Sequence, residues 1–252
     1  MQRGKKPQAV TELSSSLILR ILNAVFLGGI IEEFALIIKN GIGTIASLDK
    51  TTCLFAFARG AVGNIPDASL GIKDGGFLTK AITATGAEKI VYSIEDDKWF
   101  VLNLPNIGDI KLLLTAPEMI PTSVLNYEEP VQKIKASAPI KVALTKDGCE
   151  RFLCFQNLVK NDSTMITVKE TDVFIGSGKY ETKTFVVKVG QIEKPMEQKD
   201  FSATVLCEHL TAVLLSLDWV NGLPPVMNIG VNAPVLITQG DFFWSLNQSF
   251  EK

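Results

Sequence analysis

The chain has 252 residues, 46% of them hydrophobic and 21% charged, with a formal net charge of −2. That length and composition fit one large or two ordinary packed domains and exclude a disordered or polybasic chain. The total gives no reason to expect an anionic partner; only the distribution of charge can do so.

At the N-terminus, Arg3, Lys5 and Lys6 precede an apolar stretch from Leu17 to Ile31 and imitate a secretory signal. Arg20 and Asn23 interrupt that stretch, which has about 15 residues where a bilayer span needs about 20. Helical spacing instead gathers Leu17, Ile18, Ile21, Leu22 and Val25 on one face over Leu17–Phe26, with Ser16, Arg20 and Asn23 on the other. The serines at 14–16 supply a cap, and Gly28-Gly29 a stop. Four β segments follow at 31–39, 43–48, 53–59 and 68–73, with Asn40-Gly41 as a hairpin turn between the first two. A second helix is expected over 76–85, grouping Phe77, Leu78, Ala81 and Ile82, and three more strands over 89–95, 98–104 and 109–115.

A Pro-rich connector covers 116–139, and then the order repeats. Ile140–Leu144 reads as a strand and Asp147–Lys160 as a helix, followed by strands over 164–169, 173–176, 183–189 and 201–205. A helix over 206–219 places Leu206, Leu210, Val213, Leu214 and Leu217 on one face, and Pro224-Pro225 forbid its continuation. Strands over 226–231, 234–240 and 242–247 close the chain. Two helices and seven or eight strands per half describe an α+β fold with helices segregated to one face of the sheets. The expected organisation is a first domain over 1–117, a connector over 118–138 and a second domain over 139–252.

Catalytic and metal chemistry find little support. Gly41-Ile42-Gly43-Thr44-Ile45-Ala46 satisfies a dinucleotide-binding pattern, but strand and turn follow it where a helix N-terminus is required. The acidic pairs Glu32-Glu33, Asp96-Asp97 and Glu128-Glu129 read as solvated surface. Cys53, Cys149, Cys154 and Cys207 show no C-x-x-C spacing, and the lone histidine, His209, has no local nucleophile signature beside it. These readings predict no catalytic residues, no metal, no cofactor, free buried thiols and a structural or surface histidine. Sequons at Asn161 and Asn247 have meaning only in a secreted chain. The predicted helices carry Arg20, Lys80, Lys146, Arg151 and Lys160, against Glu150 and Glu208; if all four line one surface, the bases form a track for phosphates without base reading.

The order of elements, over 10–248, resembles the two-domain DNA sliding clamps, the family of proliferating cell nuclear antigen and the tailed-phage clamps. Within it, 162–169 (DSTMITVK) resembles the strand after the third helix in phage clamps, 43–49 (GTIASLD) the strand before the central loop, and 234–246 the last two strands. The resemblance implies two similar clamp-fold domains, each with two helices backed by β-sheets, closing as a homotrimeric ring around duplex DNA. It implies a processivity factor, not an enzyme, that tethers DNA polymerase and other replication proteins and is loaded by an ATP-dependent loader, with no membrane partner. Its compartment would be the cytoplasm of a phage-infected or prokaryotic cell, or a eukaryotic nucleus. Carried over, Arg20, Lys80 and Arg151, with Lys146 and Lys160, face the DNA; the fourth helix departs from the pattern in having no Lys or Arg. Partner peptides would meet Leu48, Cys53, Phe55, Val124, Leu125, Tyr127, Pro234, Trp244 and Leu246. Two rivals stand beside this reading: a monomeric clamp-fold processivity factor, and a secreted or virion β-rich structural protein.

Overall fold

The computed structural model describes residues 11–96, 98–104, 108–177, 182–192, 201–230 and 232–248; Arg3, Lys5, Lys6, Asp97 and Val231 lie outside them. The chain divides into two compact units, Met1–Ser47 with Ala58–Leu125, and Leu48–Phe57 with Asn126–Lys252. A short stretch, Leu48–Phe57, therefore belongs with the later part of the sequence.

The first half of the chain runs β1 (Thr11–Ser14), α1 (Ser15–Phe26), β2 (Phe34–Lys39), β3 (Ile42–Leu48), β4 (Leu54–Ala61), β5 (Ala68–Ile72), α2 (Gly75–Thr85), β6 (Lys89–Glu95), β7 (Trp99–Leu104) and β8 (Gly108–Leu113), with Leu48 of β3 and the first four residues of β4 belonging to the second unit. After α3 (Glu128–Ser137), the second runs β9 (Ile140–Leu144), α4 (Lys146–Val159), β10 (Ser163–Lys169), β11 (Asp172–Ser177), β12 (Val186–Ile192), β13 (Phe201–Leu206), α5 (Cys207–Ser216), β14 (Val226–Ile229), β15 (Val235–Gln239) and β16 (Phe242–Leu246). Strand for strand and helix for helix, the order is the same twice. The pairing repeats as well: β1-β6-β7-β8 is matched by β9-β14-β15-β16, and the neighbours β3-β2-β5 by β11-β10-β13, all antiparallel.

Two elements escaped the sequence reading. Strand β1 has four residues, too few to show alternation, and is defined by its partner, with Leu13 opposite Ile90. Within the segment read as a Pro-rich connector, residues 128–137 are helical: Glu128 and Glu129 sit at the positive end of α3, Lys135 at the other, and Pro130 falls in the first turn, where no backbone bond is lost.

Helix α1 ends as Leu27 takes a left-handed conformation (φ 48°), with Gly28 and Gly29 also at positive φ, one residue earlier than the expected stop. Asp74 caps α2 by accepting from Phe77 N at 2.7 Å, and Thr145 caps α4 by accepting from Gly148 N at 3.3 Å. The Asn40-Gly41 turn has φ of 51° and 72°, as a two-residue hairpin with matching strand twist requires.

In the first unit α1 packs on α2, and Ile18, Leu78 and Ile82 meet Leu36, Leu70 and Phe100 in one apolar core. Leu17 and Phe77, expected in that core, are 37% and 45% exposed. In the second unit α4 packs on α5 and on β12, and α5 on β10, β13 and β16. Gly190 of β12 lies so close to β9 that a Cβ would come within 2.2 Å of Ala143 O. Asn161 is buried, donating its amide to Ser177 Oγ at 2.6 Å and to Lys183 O at 3.2 Å, so its sequon is not a surface site in this fold.

Candidate nucleic-acid interface and partner-docking residues

All five predicted basic residues are exposed. Arg20 projects from α1 and Lys80 from α2 in the first unit; Lys146, Arg151 and Lys160 belong to α4 and its C-terminal cap in the second. Helix α4 is not simply basic. Lys146 lies 3.7 Å from Glu150, and Arg151 holds Asp147 at 3.0 Å, each pair one turn apart. Such exposed pairs contribute only about 0.3–0.5 kcal/mol, so another anion can displace the carboxylate.

Helix α5 presents no base at all. Glu208 is exposed, while His209 turns inward and is buried, with Nε2 3.6 Å from Asp49 Oδ2. Burial pulls the imidazole below its usual pKa of 6.5, against the Asp49 and Glu208 charges. Asp49 is burdened by burial too, but its bonds from Thr51 and Leu54 and the nearby His209 hold its carboxyl below the ordinary range.

The predicted docking residues separate by depth. In the second unit Phe55, Trp244 and Leu246 are 6%, 1% and 1% exposed, so their side chains belong to the core and support a surface instead of presenting one. Phe55 packs on Phe243 with centroids 5.4 Å apart, and Phe57 joins Phe243 and Tyr127 at 5.7 and 5.2 Å. Phe57 and Phe243 were not singled out from sequence; alternation along β4 and β16 is hidden because nearly every residue there is apolar. Leu48, Cys53, Tyr127 and Pro234 are half-buried and open to contact. Asn247 secures the loop before β4, donating from N to Cys53 O at 2.8 Å and from Nδ2 to Thr52 O at 2.9 Å.

In the first unit Val124 and Leu125 are half-buried. Their segment is fixed to β3: Val124 N donates to Ala46 O at 2.9 Å, and Ser47 Oγ donates to Thr122 O at 3.0 Å. Ser123 pairs with Ser47 as an isolated bridge, and Leu125 and Asn126 lie in a bend.

Among the described residues, no cluster of three or more His, Cys, Asp or Glu side chains is placed to hold a metal, and no helix is long and apolar enough to cross a membrane. The residues of the dinucleotide-like pattern form the turn and β3, with no helix after them. The cysteines are free, and Cys154 is exposed where a buried thiol was expected. Cys149 is buried at the start of α4, and burial pushes its thiol up to about 12.

Solved structures resemble this arrangement along its whole length. One described as the C-terminal region of FEN-1 bound to A. fulgidus PCNA matches with a TM-score of 0.72 and 11% identity, covering 96% of this chain and 99% of that one. The chain has the DNA-clamp fold. Proliferating cellular nuclear antigen from Entamoeba histolytica matches with a TM-score of 0.67 and 13% identity, over 96% of this chain and 98% of that one. No family model and no curated protein sequence matches the chain. At such identities it is the clamp fold alone that is shared, carried by the twice-repeated order of helices and strands.

Proposed function

We propose that this chain is a DNA polymerase processivity factor, a homotrimeric sliding clamp that encircles duplex DNA without catalytic turnover. The observation that supports it most is the full-length match to clamp structures together with the duplicated β-α-β4-α-β3 order. In such a ring the helices line the hole, and the chain is organised as domains over 1–117 and 139–252 joined by a connector over 118–138. Arg20, Lys80, Lys146, Arg151 and Lys160 face the phosphates. Their contacts are weak and exchangeable because α4 carries its own competing carboxylates, which suits sliding. Strand β8 ends its sheet with Leu113 60% exposed, an edge that closure with another copy would cover.

The A. fulgidus structure is described with a FEN-1 C-terminal region bound. By that likeness, polymerase and other replication proteins attach here through short peptides; the contacts proposed for the second unit are Leu48, Cys53, Tyr127 and Pro234, and those proposed for the first are Val124 and Leu125. Phe55, Trp244 and Leu246 act beneath that surface. An ATP-dependent loader opens and closes the ring in the cytoplasm of an infected or prokaryotic cell, or in a eukaryotic nucleus.

Sedimentation at micromolar concentration and retention on DNA test this together. The expected results are a particle of about three times the 27.5 kDa chain mass, and protein that stays on nicked circular DNA after loading but is lost when the circle is cut. A stable single-chain mass with unchanged retention on linear DNA would instead identify a monomeric factor that grips one side.

A further inference from the structure

The internal repeat sets a standard for each connection in the chain. Helix α2 passes to β6 through three residues, 86–88, whereas its counterpart α5 passes to β14 through nine, 217–225. The fold itself needs no more than the shorter turn. The longer one is nevertheless built with care. Gln239, 4% exposed at the end of β15, commits its whole amide to it: Oε1 accepts from Asp218 N at 3.0 Å, and Nε2 donates to Asp218 O at 3.0 Å and to Leu223 O at 2.9 Å. Asp218 Oδ1 accepts from Val220 N at 3.1 Å and from Asn221 N at 2.9 Å, and Gly222 N donates to Asp218 O at 3.1 Å. Leu217 and Pro225 are buried at the two ends. The turn fixed in this way leaves Val220 82% and Leu223 65% exposed, and Leu215 on the last turn of α5 is 69% exposed.

Charge around these aliphatic side chains is one-sided. Residues 201–248, which supply α5, the loop and β14–β16, contain no Lys or Arg, while Glu208, Asp218 and Asp241 are acids. Asp241 is exposed and follows Gly240, where a Cβ would stand 3.8 Å from Leu223 Cδ1. Bases lie on the β9–α4 side, where Leu144 N donates to Pro225 O at 3.3 Å and Lys146 has Glu150 3.7 Å away. Acids without bases repel phosphate, so nucleic acid and anionic lipid are poor occupants of this surface. A polypeptide with aliphatic side chains and basic flanks matches both its apolar and its charged parts.

We propose that the 217–225 loop is a docking ridge for a partner protein segment that presents aliphatic side chains flanked by Lys or Arg. The ridge stands at the opposite end of β15 from Pro234, apart from the contacts proposed above. Gln239 and Asp218 hold its shape before any partner arrives, so little ordering of the loop remains to oppose binding. Large aliphatic side chains held out on a rigid loop, longer than its own repeat requires, mark an interaction surface. The ridge depends neither on ring closure nor on DNA.

A phage-displayed library of short random peptides, selected on the full chain and counter-selected on Val220→Ser/Leu223→Ser, reads both the site and the chemistry of its occupant. Both substituted positions are exposed, so the double variant should melt within a few degrees of the parent. Peptides kept by the parent and lost by the variant should be aliphatic with net positive charge. They should shift the amides of 218–223 and 240–241 in NMR spectra of the parent, weaken as salt rises, and lose about tenfold or more in affinity for the variant. No loop-dependent peptide, or loop-dependent peptides of net negative charge, overturns the proposal. If the double variant does not fold, mapping of the unsubtracted pool on the parent decides, and a pool that leaves 218–223 unmoved overturns it equally. Shifts of the same amides on concentrating the protein alone would make a second copy the occupant and overturn it too. Failure of peptides at Leu48 and Pro234, with the ridge peptides retained, would bear on the proposed function alone.

Discussion

On α4, Arg151 donates from Nε to Asp147 Oδ1 at 3.1 Å and places a terminal nitrogen 3.0 Å from Oδ2, clasping a carboxylate one turn behind it. The pair also puts Asp147 in the first turn, where the helix dipole favours an acid. Any phosphate that Arg151 binds must displace this partner. Asp147→Asn should therefore tighten binding of a short duplex and steepen the slope of log affinity against log salt by about one unit. Reversal of both Lys80 and Arg151 to Glu should weaken binding and flatten that slope. Fluorescence anisotropy across a salt series reads both, and an unchanged slope in each variant would remove α2 and α4 from the phosphate track.

Depth separates the docking candidates into two kinds. Phe55 is buried against Phe243, so Phe55→Ala should cost about 3–5 kcal/mol, as truncation of a packed aromatic does. Leu125 is half-buried on a segment whose fixing bonds come from neighbouring residues, so Leu125→Asp should leave the melting temperature within a few degrees of the parent. Affinity for a clamp-binding peptide should fall in Leu125→Asp by calorimetry while the fold persists. Equal affinity in that variant would detach residue 125 from docking.

The buried Asn161 amide joins the end of α4 to the β11–β12 connection through Ser177 Oγ and Lys183 O. Phe185 N depends on the same hydroxyl, donating to it at 2.9 Å. Asn161→Ala removes one donor from each acceptor, but Ser177 Oγ still donates to Lys183 O at 3.1 Å, so the expected cost is that of the lost hydrogen bonds, about 0.5–1.5 kcal/mol each. Urea unfolding should register that loss, and hydrogen exchange at Phe185 should quicken.

These consequences were unequally legible in the sequence. Amphipathic spacing marked α1, α2 and α5 to within three residues at each end, because each buries a single stripe such as Ile18, Ile21, Leu22 and Val25, and α4 was read to within one residue at each end. Element order was legible for the same reason, and with it the fold. Strand β1 was not, being recognised only through β6. Depth on β4 and β16 was equally hidden: both faces are apolar, so nothing local tells Phe55, Trp244 and Leu246 apart from residues that meet solvent. Helix α3 did leave a signal, the acids at 128–129 and the lysine at 135, which the surrounding prolines masked. The contact of His209 with Asp49 joins residues far apart in sequence, and no spacing rule reaches that far.

Acid stability should fall in two stages. His209 is held below its ordinary value in the fold, so the stability tied to its neutral form is complete above pH 6.5 and is lost as pH falls through the depressed folded value. Asp49 is also depressed, so its contribution is complete above pH 3.8 and fades only as pH drops below that. A melting-temperature profile from pH 8 to 3 should show both declines, and His209→Gln should erase the first and keep the second. A wild-type profile flat from pH 7 to 5 would contradict the burial of a neutral imidazole.

Strands β12 and β9 approach closely where Gly190 faces Leu144 and its neighbour Gln191 faces Ala143. A methyl group at residue 190 would stand 2.2 Å from Ala143 O and 3.0 Å from a Val142 methyl, and backbone cannot swing aside as a side chain can. Gly190→Ala must therefore push the two strands apart and lengthen the bonds between them, while the β11–β12 pairing on the other side remains available. Amides of 142–144 and 190–192 should lose protection in hydrogen exchange before those of β10 and β11 do, with a fall in melting temperature of several degrees. Thr145 N, which donates to Val189 O at 2.8 Å, reports the same separation at the N-terminus of α4. Protection preserved at all of these sites would mean that β12 and β9 tolerate a wider spacing than the geometry allows.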